Sequence, residues 1–263
     1  MNAETQDWIL AEHILTLHDR DVNLRQRAVY LFAALTNINP GRRYRIAQRV
    51  LAIWSSEMPK REAPTIPREM LLAMVVWLHV HERPAVATVC LLCFSGLLRV
   101  SEVLQLLRRN IVMCDQHAIL ILDRTKRGQN EKVVLGNATV VSLLRSYLSH
   151  FPCSNLSRVF AVSYTTVAKW MSKASGALNF GAMCLTTHSL RRGGATELLR
   201  VGVSFSDIAV FGRWASEQSV RIYLREGDVQ LTRAAAIVDA DTWARIARWG
   251  RLHEVVWLHY ADA

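Results

Sequence analysis

The chain has 263 residues, of which 51% are hydrophobic and 21% are charged, a balance that excludes an intrinsically disordered chain. The length allows one large domain or two unequal ones. The 32 basic residues exceed the 22 acidic ones by ten, and only five of the 32 are lysine. Because arginine binds phosphate through paired hydrogen bonds, this excess indicates a polyanionic partner, with nucleic acid as the first candidate.

Membrane-spanning and secreted proteins are also excluded. The longest nearly apolar stretch, Val86 to Leu98, is shorter than the roughly 20 residues that a membrane-spanning helix needs. Glu4 and Asp7 stand where a signal peptide would carry basic residues, so we expect an intracellular protein without membrane contact. The five cysteines lack the spacing of a disulfide framework.

Residues 1–58 predict three short helices. Thr5 or Asp7 caps the first helix, Asn23 caps the second, and an arginine-rich third helix follows. Three prolines within ten residues then oppose helix formation, and they predict a linker over residues 59–67.

Residues 68–263 predict a mainly helical domain with one small antiparallel sheet. Pro67 and Pro84 each stand where a proline starts an apolar helix. Two apolar strands between residues 117 and 135 flank a turn-rich segment and predict a hairpin. The fold class is therefore α+β, mainly α. The predicted helices lie at about 67–81, 84–95, 100–107, 137–149, 164–178, 187–201, 205–211, 216–225 and 243–259.

Cys90 and Cys93 form a CxxC pair. A zinc site would need a second pair of ligands at finger or ribbon spacing, and the sequence offers none. Residues three apart share one face of a helix, and this pair lies in an apolar segment. The pattern therefore favours core packing over a metal site.

His188 and Arg191 lie three residues apart in a predicted helix, so an imidazole and a guanidinium share one face. Such a face suits an anion, although an ordinary solvated helix has the same pattern. Gly193 and Gly194 follow in the same helix, where each costs up to about 1 kcal/mol relative to alanine. The pair indicates either close approach by a DNA strand or a crossing helix, or a kinked helix.

Three further motifs carry charge or a nucleophile. Tyr223 stands between two arginines, whose positive potential favours the phenolate, and its alternative role is helix packing. Arg99 follows a glycine turn at the start of a helix, and Glu102 is placed to orient or neutralise it. Lys126 lies in the turn of the predicted hairpin, where an ordinary solvated turn is the alternative.

Together, these motifs resemble, in order and spacing, the catalytic domain of the tyrosine recombinase or phage integrase family over about residues 64–228. The family pattern has an arginine in a Gly-Leu-Arg-x-Ser-Glu context, a hairpin lysine, an HxxR box, a histidine or tryptophan, and a tyrosine nine residues later. The Gly-Arg-Trp context here resembles Cre-type enzymes and the recombinases of DIRS-like retroelements. The corresponding residues are Arg99, Lys126, His188, Arg191, Trp214 and Tyr223.

The resemblance implies a site-specific DNA recombinase or integrase of a mobile element, working without metal or cofactor. Tyr223 would attack a DNA phosphate and form a 3′-phosphotyrosyl link. Lys126 would protonate the leaving 5′-oxygen, with Lys132 as an alternative acid, and His188 would assist proton removal from the tyrosine. Arg99 and Arg191 would bind the non-bridging oxygens, and Trp214 would position the phosphate.

The resemblance also implies double-stranded DNA as partner and a homotetramer on two duplexes. Residues 1–58 would be a shortened helical core-binding segment that clamps DNA, and the C-terminal helix would dock on a neighbouring protomer or pack on its own domain. The alternative functions are a catalytically impaired DNA-binding relative, acting as repressor or accessory factor, and topoisomerase-like relaxation. We expect a DNA-associated protein, nuclear in a eukaryote and in the cytoplasm or nucleoid of a bacterium. The arginines expected to contact DNA are Arg42, Arg43, Arg45, Arg192, Arg213 and Arg221.

Overall fold

The chain divides into two compact units, Met1–Glu62 and Ala63–Ala263. Helices dominate both units, and the second also contains a three-stranded antiparallel sheet, so the predicted fold class is confirmed. None of the helices in the described part of the chain is long and apolar enough to cross a membrane. The computed structural model describes residues 3–20, 25–38, 44–57, 63–124, 129–218, 220–221, 224 and 238–248.

The first unit contains the three helices α1 (Ala3–Arg20), α2 (Arg25–Ile38) and α3 (Arg45–Glu57). All three helices contribute apolar side chains to one small core, which contains residues of this unit only. Trp54 is the largest of these side chains and is 1% exposed. The three helices follow the predicted order.

Asp7 was one of two residues predicted to cap the first helix, and this prediction is wrong. It lies inside α1, and it is 5% exposed. Its carboxylate accepts hydrogen bonds from the backbone N–H groups of Ile46 and Ala47, at 2.9 and 3.0 Å. The first turn of a helix leaves its N–H groups without an intrahelical partner and favours negative charge, so Asp7 caps α3 across the unit.

The second unit is built around the apolar helices α4 (Arg68–Val80) and α5 (Pro84–Ser95). Residues 86–94 of α5 are all buried, which explains why this segment is apolar on every face. Other helices pack around α5. They are α6 (Val100–Leu104), α7 (Ala138–His150), α8 (Tyr164–Ala177), α9 (Thr187–Arg200) and α10 (Phe205–Phe211).

Helices α4 to α10 agree with the predicted bounds to within one residue, except α6. That helix was predicted to reach residue 107 but ends at Leu104. Leu107 instead forms an isolated antiparallel bridge with Arg158, and its N–H donates to Asn110 Oδ1 at 3.2 Å. A long-range backbone pairing therefore replaces the last predicted turn.

The sheet contains the antiparallel strands β1 (Ile111–Met113), β2 (Ala118–Arg124) and β3 (Gln129–Leu135) in that order. Strands β2 and β3 form the predicted hairpin, in which Leu120 pairs with Val133. Strand β1 was not predicted, because three residues are too few for an alternating pattern to show.

Part of the C-terminal helix is described, over residues 240–248. Ile246 is fully buried in the core of the second unit, and Trp243 packs against the same core. The described part of this helix therefore packs on its own unit, which was one of the two predicted alternatives. Predicted helical positions 249–259 lie outside the described residues.

Gly193 and Gly194 lie where α9 crosses α5. A Cβ on Gly194 would overlap the backbone carbonyl of Phe94, and a Cβ on Gly193 would overlap the carbonyl of Ile66. A crossing helix, one of the predicted alternatives, therefore explains this pair. The approach of α9 to α5 is limited by backbone atoms, which cannot move aside as the end of a side chain can.

Asp7→Ala is expected to lower the free energy of unfolding by about 1 to 2 kcal/mol, because it removes both acceptors at the start of α3. Urea unfolding of the full chain, followed by helical circular dichroism, measures the change. Glu12→Ala is the matched control, since Glu12 is an exposed acid of the same helix. Equal effects of the two substitutions would contradict the cap.

Gly194→Ala is expected to destabilise the second unit by roughly 1 to 3 kcal/mol, because the added methyl group overlaps a carbonyl of α5. Gly176→Ala in α8 is the matched control: a Cβ there meets nothing within 4 Å. That substitution is expected to be neutral or to stabilise by up to about 1 kcal/mol. Thermal unfolding of the two variants should therefore shift in opposite directions or differ clearly in size.

Candidate active site

Arg99 lies at the N-terminal end of α6 and is held by Glu102 in two ways. Its backbone N–H donates to Glu102 Oε2 at 2.8 Å, and its guanidinium donates to Oε1 at 2.6 Å. The carboxylate side chain is 6% exposed, whereas the Arg99 side chain is 31% exposed. Glu102 therefore orients Arg99, as predicted, while the guanidinium stays accessible.

A second arginine shares the same carboxylate. Arg213 Nη2 donates to Glu102 Oε2 at 3.0 Å and to the Leu97 carbonyl at 3.2 Å. Its Nε lies 3.5 Å from Oε2 of Glu131 in β3. Burial lowers the pKa of Arg213, and the neighbouring carboxylates of Glu102 and Glu131 oppose that change by stabilising the charged form.

Arg191 lies in α9 and is buried. Its Nη2 donates to the Gly212 carbonyl at 2.5 Å, and its guanidinium carbon lies 4.4 Å from the centre of the Trp214 ring. A Cβ on Gly212 would overlap that ring, so glycine at this position leaves room for the indole. Arg191 is thereby fixed by a carbonyl and by a cation–π contact.

Residues 212–214 connect the surroundings of Arg99 with those of Arg191. The backbone of Gly212 accepts a hydrogen bond from Arg191, and the next residue, Arg213, pairs with the carboxylate that orients Arg99. Three sequence motifs predicted to act together therefore contact one short loop. The start of α6, the middle of α9 and the loop after α10 meet there.

Of the three remaining predicted catalytic residues, the structure describes only His188. His188 is exposed near the start of α9, where the backbone N–H of Thr186 donates to Ser189 Oγ at 2.9 Å. Lys126 and Tyr223 lie outside the described residues, as do Arg42 and Arg43.

Two apolar residues of the predicted tyrosine-bearing helix can be placed. Val220 and Leu224 are fully buried, in a cluster that also contains Leu97 and Ala195. Leu97 stands two residues before Arg99, and Ala195 stands four residues after Arg191. Val220 and Leu224 therefore pack beside the segments that carry both arginines.

A sequence model of the phage integrase family matches residues 79–228. This range is more than half of the chain, and it includes all six predicted catalytic positions. The chain belongs to the phage integrase family. The predicted family is thus confirmed. Among curated proteins, none matches this chain.

Solved structures of tyrosine recombinases have the same fold. XerH site-specific recombinase bound to difH substrate is 18% identical with a TM-score of 0.54, and the match covers 74% of this chain but only 64% of that one. XerA recombinase is 14% identical with a TM-score of 0.53, covering 88% and 89%. The Tn1549 transposon integrase in complex with transposon right end DNA is 11% identical with a TM-score of 0.55, covering 86% and 84%.

Two of the arginines predicted to contact DNA are turned inward in this integrase-family chain. Arg192 is 3% exposed, and it donates to the Ala63 carbonyl at 2.8 Å. The Arg213 side chain is 8% exposed and engaged by two carboxylates. Intramolecular partners hold both guanidinium groups, and DNA contacts of Arg192 and Arg213 stay predictions.

The remaining described arginines of that set are exposed. Arg45 lies at the start of α3, and Arg221 pairs with Glu217, with its Nε at 2.8 Å from Oε1. The Arg221 guanidinium also lies 4.7 Å from the centre of the Phe205 ring. DNA contacts of Arg45 and Arg221 stay predictions.

Cys90 and Cys93 are fully buried in α5, so the core-packing interpretation is confirmed. Burial raises the pKa of Cys90 to about 12. Burial also raises the pKa of Cys93, with Cys90 and Glu102 adding to the rise and Arg191 opposing it. Within the described ranges, no group of three or more His, Cys, Asp or Glu side chains could hold a metal ion.

A thiol reagent at pH 8 is expected to label the exposed Cys184 in the folded chain and to leave Cys90 and Cys93 unlabelled. The raised pKa values keep both buried thiols protonated at this pH, and only the thiolate reacts. Mass spectrometry of peptides before and after addition of denaturant measures the difference. Labelling of Cys90 in the folded chain at the rate of Cys184 would contradict this burial.

Proposed function

We propose that this chain is a site-specific DNA strand transferase of a mobile element, cutting and rejoining DNA through a 3′-phosphotyrosyl intermediate. One observation carries the proposal. Arg99 and Arg191 are 92 residues apart in the chain, and residues 212–214 support both. Family membership and the order of the motifs agree with this function.

Two fixed guanidinium groups suit phosphoryl transfer. Negative charge grows on the non-bridging oxygens as the fifth bond to phosphorus forms, and donors that are already oriented stabilise it without reorganisation. Arg99 is accessible and is oriented by Glu102. Arg191 is shielded from solvent, where a positive charge acts more strongly than in water. We assign both to the non-bridging oxygens.

The proposed covalent step exchanges one phosphate ester for another. Tyr223 Oη bonds to phosphorus while the bond from phosphorus to the 5′-oxygen breaks. The phenol proton passes to His188, and Lys126, or Lys132 as the alternative acid, gives a proton to the leaving oxygen. The indole N–H of Trp214 can only donate, so it positions phosphate. Attack by another strand's 5′-hydroxyl reverses the step, and no ATP is needed.

Double-stranded DNA is the proposed substrate and partner, with a homotetramer on two duplexes as the working assembly. The XerH recombinase structure is bound to difH substrate, and the Tn1549 transposon integrase is in complex with transposon right end DNA. The helical unit before the linker is proposed to clamp the duplex, with the exposed Arg45 of α3 among its phosphate contacts. These assignments imply a DNA-associated protein.

The wild-type chain is expected to form a covalent adduct with a nicked suicide duplex that carries the DNA sequences flanking its gene. Tyr223→Phe should abolish the adduct, because the substitution removes the attacking oxygen. Denaturing electrophoresis of labelled DNA measures it, and a chelator should leave the yield unchanged. Tyr30→Phe is the matched control, since it removes a hydroxyl from an exposed tyrosine of α2.

Other outcomes would point to other functions. Binding of this duplex without any adduct would identify a DNA-binding protein that lacks strand transfer. Relaxation of supercoiled DNA without joined products would indicate a topoisomerase. An adduct that persists in Tyr223→Phe would show that another residue is the nucleophile.

A further inference from the structure

Arg213 has a backbone conformation that arginine rarely adopts. Its φ is +59°, in the left-handed region where a Cβ is crowded and where glycine is favoured. Its charged side chain is also 8% exposed. Each of these two features is unfavourable. The neighbours of Arg213 in the chain, Gly212 and Trp214, both contact Arg191. Strain of this kind persists only where the surrounding structure holds it in place.

The partners of Arg213 come from two other segments of the same unit. The Leu97 carbonyl and Glu102 Oε2, at the start of α6, accept from Nη2 at 3.2 and 3.0 Å. Glu131 Oε2 in β3 lies 3.5 Å from Nε. The two carboxylate side chains are 6% and 23% exposed. Ion pairs so far from solvent are stronger than surface pairs, and breaking one leaves a buried charge.

These contacts connect the hairpin to the orientation of Arg99. Glu131 pairs with Leu122 of β2, so a contact that fixes the position of Glu131 also fixes the position of β2. Lys126 stands five residues before Glu131, in the segment that joins the two strands. Glu102 is the carboxylate that orients Arg99. Arg213 therefore links the base of the hairpin to the arginine that is proposed to bind phosphate.

We propose that Arg213 is a positioning residue, which holds the β2–β3 hairpin against the start of α6 so that the hairpin lysine can protonate the leaving 5′-oxygen. This inference rests on the proposed function. Arg213 acts through Glu131 and Glu102 and makes no contact with DNA. Its contribution therefore appears in the protonation of the leaving group more than in DNA affinity.

The test compares two suicide duplexes, one with the natural 5′-oxygen at the scissile phosphate and one with sulfur in that bridging position. A thiol has a pKa of about 8.5, far below that of an alcohol, so sulfur leaves without a proton. Arg213→Gly relieves the left-handed backbone and removes the ion pairs. We expect its cleavage rate to fall about 10- to 100-fold with oxygen, as for partial loss of a general acid, and to approach the wild-type rate with sulfur.

Three further variants complete the test. Glu131→Gln removes only the negative charge that the hairpin places beside Arg213, and it should show the same pattern with a smaller loss. Lys126→Ala should be slow with oxygen and rescued by sulfur, as the reference for a missing acid. Arg145→Ala is the matched control: this exposed arginine of α7 donates to the Cys114 carbonyl at 2.7 Å, and its loss should leave both rates unchanged.

Each result decides between the inference and its alternatives. Equal slowing of Arg213→Gly with both substrates would overturn it, as would an unchanged rate with oxygen. If circular dichroism shows that this variant does not fold, Glu131→Gln decides by the same two criteria, since its side chain is the more exposed partner. Wild-type protein that cleaves neither duplex would contradict the proposed function itself, and the inference with it.

Discussion

The candidate site depends on the buried carboxylate of Glu102. Burying a carboxylate is costly unless charged or hydrogen-bonding partners compensate, and here two guanidinium groups and one backbone N–H do so. The guanidinium groups of Arg99 and Arg213 both donate to this one carboxylate, so a change in the orientation of one side chain disturbs the other. Because Arg213 follows Gly212, which accepts from Arg191, the constraint extends from the start of α6 to the middle of α9.

The packing of α9 on α5 determines where this network can form. Gly194 allows α9 to approach the Phe94 carbonyl, near the end of α5, and Arg191 stands on the preceding turn of α9. The chain leaves α5 through Leu97, whose φ is +47°, and enters α6 at Arg99. The close crossing of two helices and one tight connection thus bring segments that are distant in sequence to the same loop.

Local signals made much of this structure predictable. Helix-starting prolines and apolar periodicity predicted most helix bounds, and motif order predicted both arginines of the candidate site. The contacts that the sequence did not predict involve partners that are far away in the chain. Asp7 caps a helix 39 residues away, and Arg192 bonds to a carbonyl 129 residues away. Whether an arginine is buried or exposed depends on such partners, and no spacing rule reveals them.

The charge of +10 is therefore not all on the surface. Arg213 is paired with two carboxylates, and Arg192 donates to a carbonyl from a buried position, so both charges are engaged within the protein. The salt dependence of DNA binding counts only phosphates that the protein neutralises. It should therefore reflect accessible groups such as Arg45 and Arg99, while the inward Arg213 shares the carboxylate that orients Arg99, the guanidinium proposed to bind phosphate.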